Sequence, residues 1–291
     1  MNFPSFPSLW NVFANPFFRR HAVARLRPWT LLAWVFVSQV VTGFAWISAV
    51  CLYLRLQDRA RFQFDFASPE FQGLMKQHGG NAFLIGWLVV LVIQTVILLF
   101  KGTFSVATGV AREANEGMIE AQLLTPTPTG HKVLGQLLGL PILEIVVAAQ
   151  LTLWAGLSAA LGGLSPAMMA KVYLILGTSA LLHHGMGLLA GTLIRQKVIA
   201  GTISQVAVFL IHFLMPSLGK AGIGLISHLG IVSGISHEIA SACPDAFEPH
   251  GFISPDLIPR PVELFVWQVS VSGYGWGVMV SLLAFLLTIL A

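Results

Sequence analysis

Long apolar runs separated by short polar connections set the pattern along the chain. They fall at about 29–54, 82–100, 133–161, 167–194, 198–215 and from about 268 to the end, each close to the roughly 20 residues a helix needs to cross a hydrocarbon core. The pattern predicts one all-α domain over residues 1–291, a polytopic membrane bundle of about six transmembrane helices. The first run starts too late and is too long for a cleaved signal peptide.

Two polar stretches flank the early runs. NPFFRRHAVARLRP, within residues 1–28, offers Asn15 as a helix cap, Pro16 at the first helical position and Pro28 as a stop. It predicts an interfacial helix with Phe17 and Phe18 in lipid and its arginines toward phosphates, a reading favoured over a plain basic flank. AREANEGMIEAQLLTPTPTGHK, residues 111–132, is the most polar helix-like stretch. As one helix over 112–124 it would carry Glu113, Glu116 and Glu120 as an acidic stripe and Met118, Ile119, Gln122 and Leu123 on another side. Thr125-Pro126 ends it, and PTPTG turns the chain back toward the membrane.

Composition bears this out: 56% of residues are hydrophobic and 10% charged, with a mean hydropathy of +0.80, against about 25% charged in soluble domains. No sizeable soluble catalytic domain fits. The net charge of +4 comes from basic residues scattered over loop ends, which fits membrane topology and gives no nucleic-acid partner. Arg19, Arg20, Arg25 and Arg27 crowd the entry to the first run, which predicts a cytoplasmic N-terminus in a multi-pass plasma (inner) membrane protein. The segment 217–266, glycine-rich and weakly apolar, then lies outside, either as half-helices dipping into the leaflet or as surface helices.

Polar residues inside the runs are few. Glu144 lies near the inner end of the third run and His183-His184 at similar depth in the fourth, which runs the opposite way, so a Glu–His contact is geometrically allowed. A structural pair is favoured over pathway lining. Gln39, Gln94, Gln150 and Gln205 read as interhelical hydrogen-bond partners, and His212 falls near the outer end of the fifth run. Cys51 and Cys243 are expected as unpaired thiols facing an oxidising compartment, and no Cys-x-x-Cys or His-Glu-x-x-His metal motif occurs. With His184 inner and His212 outer, a b-type haem pair is not expected, and neither a cofactor nor an enzyme activity is.

Arg112, Glu113, Glu116, Gly117, Met118 and Glu120, followed by Leu123, Leu124 and Pro126 and a short turn into an apolar run, resemble the cytoplasmic segment after the second span of permease subunits in type-2 ABC exporters. The Asn-Pro and basic segment before the first run resembles their N-terminal helix. One departure is Gly135-Gln136, where such permeases often carry Gly-Lys. The resemblance implies a translocation path shared with a second permease half, identical or different, and a cytoplasmic coupling helix at 111–132. That helix docks on a separate ABC ATPase, because the chain has no Gly-x-x-x-x-Gly-Lys-[Ser/Thr] of its own; its acidic stripe would face basic residues of the ATPase or of the chain's own N-terminal helix, and its apolar side would brace the second and third spans. Membrane lipids are the remaining expected partner. The competing class is a non-transporting polytopic scaffold or assembly factor.

Overall fold

The computed structural model describes residues 15–57, 68–124, 126–214, 262–264 and 267–269. These are helical apart from one antiparallel pairing of Val262–Leu264 (β1) with Trp267–Val269 (β2). The rest of the segment 217–266, Cys243, and the last apolar run beyond its first two residues lie outside the described residues.

Helix α1 covers Pro16–Arg25 and opens as its sequence requires: the Asn15 side chain accepts the N–H groups of Phe17 and Phe18, with Pro16 at the first position. Helix α2 covers Pro28–Gln57. Helix α3 (Pro69–Thr95) starts on a Ser68 cap, passes through a π-helical segment Val96–Gly102 and continues as α4 (Thr103–Asn115), one helix of 47 residues. Helix α5 is Met118–Leu123, α6 is Thr129–Gly139 and α7 is Ile142–Leu161. Helix α8 (Pro166–Leu193) is capped by Ser165, and α9 (Lys197–Phe209) runs on into a π-helical turn, Leu210–Leu214.

Four of these helices are long and apolar enough to cross a membrane: α2, the continuous α3–α4, α7 and α8. The expectation of about six spans is thus met for four. The third run is not one helix. It breaks at Leu140-Pro141, because proline has no N–H to give and its ring collides with the preceding turn, so α6 lies apart from α7. The fifth run forms a shorter apolar helix, Lys197–His212.

Helix α8 is central, burying 61% of its apolar stretch, and α2 peripheral, burying 22%. Two glycines one turn apart set the central contact. A Cβ on Gly187 would stand 2.7 Å from the Thr103 carbonyl oxygen, and one on Gly191 2.6 Å from that of Ala107. Helices α8 and α4 therefore touch backbone to backbone, the small-residue packing expected where lipid supplies no hydrophobic drive between helices. Beside this contact Val106, Val110, Val133, Leu137, Leu140 and Leu188 form one apolar cluster, and the main core, with Trp87, Leu91, Leu99, Leu151, Ile175 and Leu176, lies further along the same helices. The face of α2 carrying Phe36, Val40 and Phe44 is open and apolar, as a lipid-facing surface would be.

A polar seam joins α2 to α7. Gln39 donates to Gln150, Trp154 Nε1 donates to Gln39, Gln150 donates to Ser38 Oγ at 2.8 Å and Trp46 Nε1 donates to Ser158 Oγ at 2.6 Å. Gln94 donates to the Ala148 carbonyl at 2.9 Å and accepts from the Tyr173 hydroxyl at 3.0 Å. Three of the four glutamines read as interhelical partners are so used; Gln205 has no such bond among the described residues.

Candidate functional site: a buried carboxylate under the connecting helix

Glu113, near the end of the 47-residue helix, has a fully buried side chain. Such a carboxylate needs donors on both oxygens, and three other elements provide them. Arg20 of α1 closes on Oε1, and His21 Nε2 lies 3.5 Å from the same oxygen. Oε2 accepts from Gln136 of α6 at 3.0 Å and from Gln122 of α5 at 3.4 Å. The Arg20 guanidinium also reaches Met118 Sδ at 3.4 Å. One side chain of α4 thus ties α1, α5 and α6 to the end of a membrane-length helix.

The local sequence explains why these elements converge. Helix α4 ends at Asn115, and Gly117 takes φ +67°, a left-handed conformation that glycine adopts without strain. The chain reverses there, so Gln122 comes back over Glu113. Helix α6 meets α1 closely: a Cβ on Gly135 would lie 2.5 Å from Phe17 Cβ. Asn15, besides capping α1, donates to the His131 carbonyl at 2.6 Å, and Lys132 donates to the Gln122 carbonyl. On the other flank Asn115 donates to the Arg195 carbonyl at 2.6 Å, tying α4 to the α8–α9 connection.

Four sequence expectations change here. Residues 112–124 are two helices, not one, so Glu113 does not share an exposed acidic stripe with Glu116 and Glu120; it is turned inward while those two are exposed. Phe17 and Phe18 are buried against α6 instead of entering lipid. Glu144 makes no pair with His183 or His184: its Oε1 accepts from Ser105 at 2.6 Å and its Oε2 lies 3.5 Å from Arg25 Nη1, an α1 side chain that reaches under the bundle first. His183 Nδ1 instead meets the Ser179 carbonyl at 2.6 Å, and His184 Nε2 the Leu98 carbonyl at 3.0 Å. The depth assigned to His212 also changes, since its ring lies 4.9 Å from that of His183, in contact and with no gap for a macrocycle between them.

The exposed part of the connection is formed by Arg112, Glu116, Gly117, Glu120, Leu124 and Pro126, with Leu123 closing α5 and Arg112 paired to Glu116 at 3.8 Å. Leu124 is 88% exposed. Ile119, by contrast, packs on the cluster of Val106, Val110, Val133 and Leu137, so the inner side of α5 braces α4 and α6 as expected. Sequence reasoning offered the basic N-terminal helix as one of two partners for the acidic stripe, a role that Arg20 takes on Glu113, but missed His21, Gln122, Gln136 and Arg25 as partners of the two carboxylates. The available signal was the departure Gly135-Gln136: a donor one turn into α6, opposite a carboxylate at the end of α4.

Burial holds the His21 imidazole below its ordinary pKa, Glu113 pulls it back up, and Arg20, Arg25 and Arg112 push it further down. Arg25 is likewise lowered, chiefly by burial, with Glu144 opposing. No group of three or more His, Cys, Asp or Glu side chains is placed to hold a metal ion among the described residues. Cys51 is half-buried in α2 with a free thiol.

Comparison with family models, with curated proteins and with solved structures finds no match to this chain. The fold and site define a class at the level of architecture: an α-helical chain whose four apolar helices are compatible with a multi-pass membrane protein, with a small polar knuckle of α1, α5 and α6 assembled on the end of one of them.

Proposed function

We propose that the chain is the membrane-spanning permease subunit of an ATP-driven ABC exporter, which pairs with a second permease half in the plasma membrane and takes its drive from a separate cytoplasmic ATPase at residues 111–132. The observation that carries the reading is the contrast across α5. Its inner side is locked to α4 through Glu113, Gln122 and Ile119, while Glu116, Glu120 and the 88% exposed Leu124 face outward. An exposed leucine beside carboxylates, outside any membrane-length helix, suits a protein contact with an apolar centre and a charged rim. Because the knuckle sits on a helix of 47 residues, displacement of α5 by a partner is passed to the span as a rigid-body movement.

The reading is tested by affinity purification of the tagged full chain from its native membranes. The expected result is co-purification of a Walker-motif ATPase whose hydrolysis is altered by Leu124→Asp. A chain that purifies without an ATPase, at full yield and folded, would instead support the membrane scaffold.

A further inference from the structure

A cavity of about 440 Å³ lies between α2, the α3–α4 helix and α7, away from the knuckle. Cross-helix contacts fix its axis: Ser105 bonds Glu144 at one level, Gln94 bonds Ala148 about a turn higher, and Trp46 bonds Ser158 higher still. Arg25, Lys101, Ser105, Thr108 and Glu144 form its polar end, and Val41, Ile93 and Val147 line the wall leading from it, with Ser38 and Thr42 of α2 among them. A volume in the small-molecule range, charged at one end and mostly apolar along the rest, has the form of an amphiphile site.

The polar end carries two cations and one carboxylate. Lys101 Nζ lies over the Phe104 ring, 5.6 Å from its centroid, with no carboxylate partner among the described residues. Glu144, only 4% exposed, has Ser105 on Oε1, but among the described residues Oε2 accepts no hydrogen bond and has Arg25, at 3.5 Å, as its one ionic neighbour. The end thus lacks one anion, to serve Arg25 and Lys101, and one donor, to serve Oε2.

We propose that this cavity binds a glycerophospholipid with a primary-amine headgroup: its phosphate between Arg25 and Lys101, its ammonium on Glu144 Oε2, and an acyl chain along Val41, Ile93 and Val147. Phosphate is the anion that guanidinium and ammonium groups bind through charge-assisted hydrogen bonds. A quaternary choline head has no N–H for Oε2, and a glycerol head offers only a neutral hydroxyl. Trp34, Val37 and Val41, which line the cavity from α2, are each about half exposed, which gives the chain an entry from the bilayer. The site does not depend on an ATPase, so it stands or falls apart from the exporter reading.

The test is native mass spectrometry of the full chain after delipidation, with phosphatidylethanolamine, phosphatidylcholine and phosphatidylglycerol of matched acyl chains, and with soluble O-phosphoethanolamine as a competitor. Wild type should hold one phosphatidylethanolamine with about tenfold preference over phosphatidylcholine, the scale of one charge-assisted contact. Lys101→Gln, at an exposed position whose change leaves the core intact, should lower occupancy by every phospholipid, and Glu144→Gln should level the two headgroups. Equal occupancy by the three lipids in wild type, or unchanged occupancy in Lys101→Gln, would overturn the proposal. Displacement by O-phosphoethanolamine as effectively as by lipid would overturn it too, in favour of a soluble phosphoamine.

Discussion

Arg20 of the N-terminal helix closes on Oε1 of Glu113, and the two ends of this ion pair are unequal: the arginine side chain is 42% exposed and the carboxylate fully buried. The inequality sets what each loss does. Removing the arginine leaves a buried carboxylate that water cannot reach, whereas removing the carboxylate charge leaves a guanidinium that can turn to solvent.

Arg20→Met should accordingly destabilise the docking of α1 by about 2–4 kcal/mol and Glu113→Gln by about 1. Glu113→Leu should be worse than Glu113→Gln, because Gln122 and Gln136 then lose their acceptor. Hydrogen exchange of the α1 amides reads all three, since local opening of this helix precedes loss of the bundle. Equal effects of the Arg20 and Glu113 changes would show that the pair is solvated.

His21 adds a pH dependence with a definite sign. Its folded pKa lies below the ordinary value of about 6.5, so above that pH the imidazole is neutral in both states and costs nothing. As pH falls below it, the undocked helix takes up a proton that the docked one resists, and the docking weakens by up to about 1.4 kcal/mol per pH unit. Exchange of α1 amides should therefore rise as the pH falls below about 6.5. His21→Asn, a neutral residue of similar polarity, should flatten that rise.

The spans were legible because hydropathy and length decide them locally: α2, α7 and α8 lie where the apolar runs stand, and Asn15, Ser68 and Ser165 cap helices through bonds made within three residues. The knuckle was half legible. The proline turn at 126–128 marked the return toward the membrane, but the break at Gly117 was not read, and that Glu113 turns inward depends on Arg20, 93 residues away in sequence, and on Gln136, 23 away. Periodicity on one helix carries no information about such partners. The Glu144–His pairing failed for the same reason, since Ser105 and Arg25 arrive from other elements.

The α4–α8 contact leaves no room for a side chain. Gly187→Val and Gly191→Val should each push the helices apart and cost about 1–3 kcal/mol. Thermal unfolding of the purified chain checks this, with Gly177→Ala, where nothing lies within 4 Å of an added Cβ, as a control expected to be silent.

Orientation follows from the proposed coupling role. A cysteine at Thr127 should react with an impermeant maleimide only once the cytoplasmic face is opened, and one at Ala246, in the segment 217–266, from outside. The opposite pattern would remove both the orientation and the coupling role of residues 111–132.

The most direct measurement is recovery of the ATPase by variants of the exposed face of the connection. Glu120→Lys with Leu124→Asp leaves the Glu113 latch intact, and reversal of charge with loss of an apolar anchor at a true interface should lower recovery at least about tenfold, each factor of ten being about 1.4 kcal/mol. Arg55→Glu, at the far end of α2, is the control and should recover the partner as wild type does. Undiminished recovery in the double variant, with the chain inserted and folded, would contradict docking at residues 111–132.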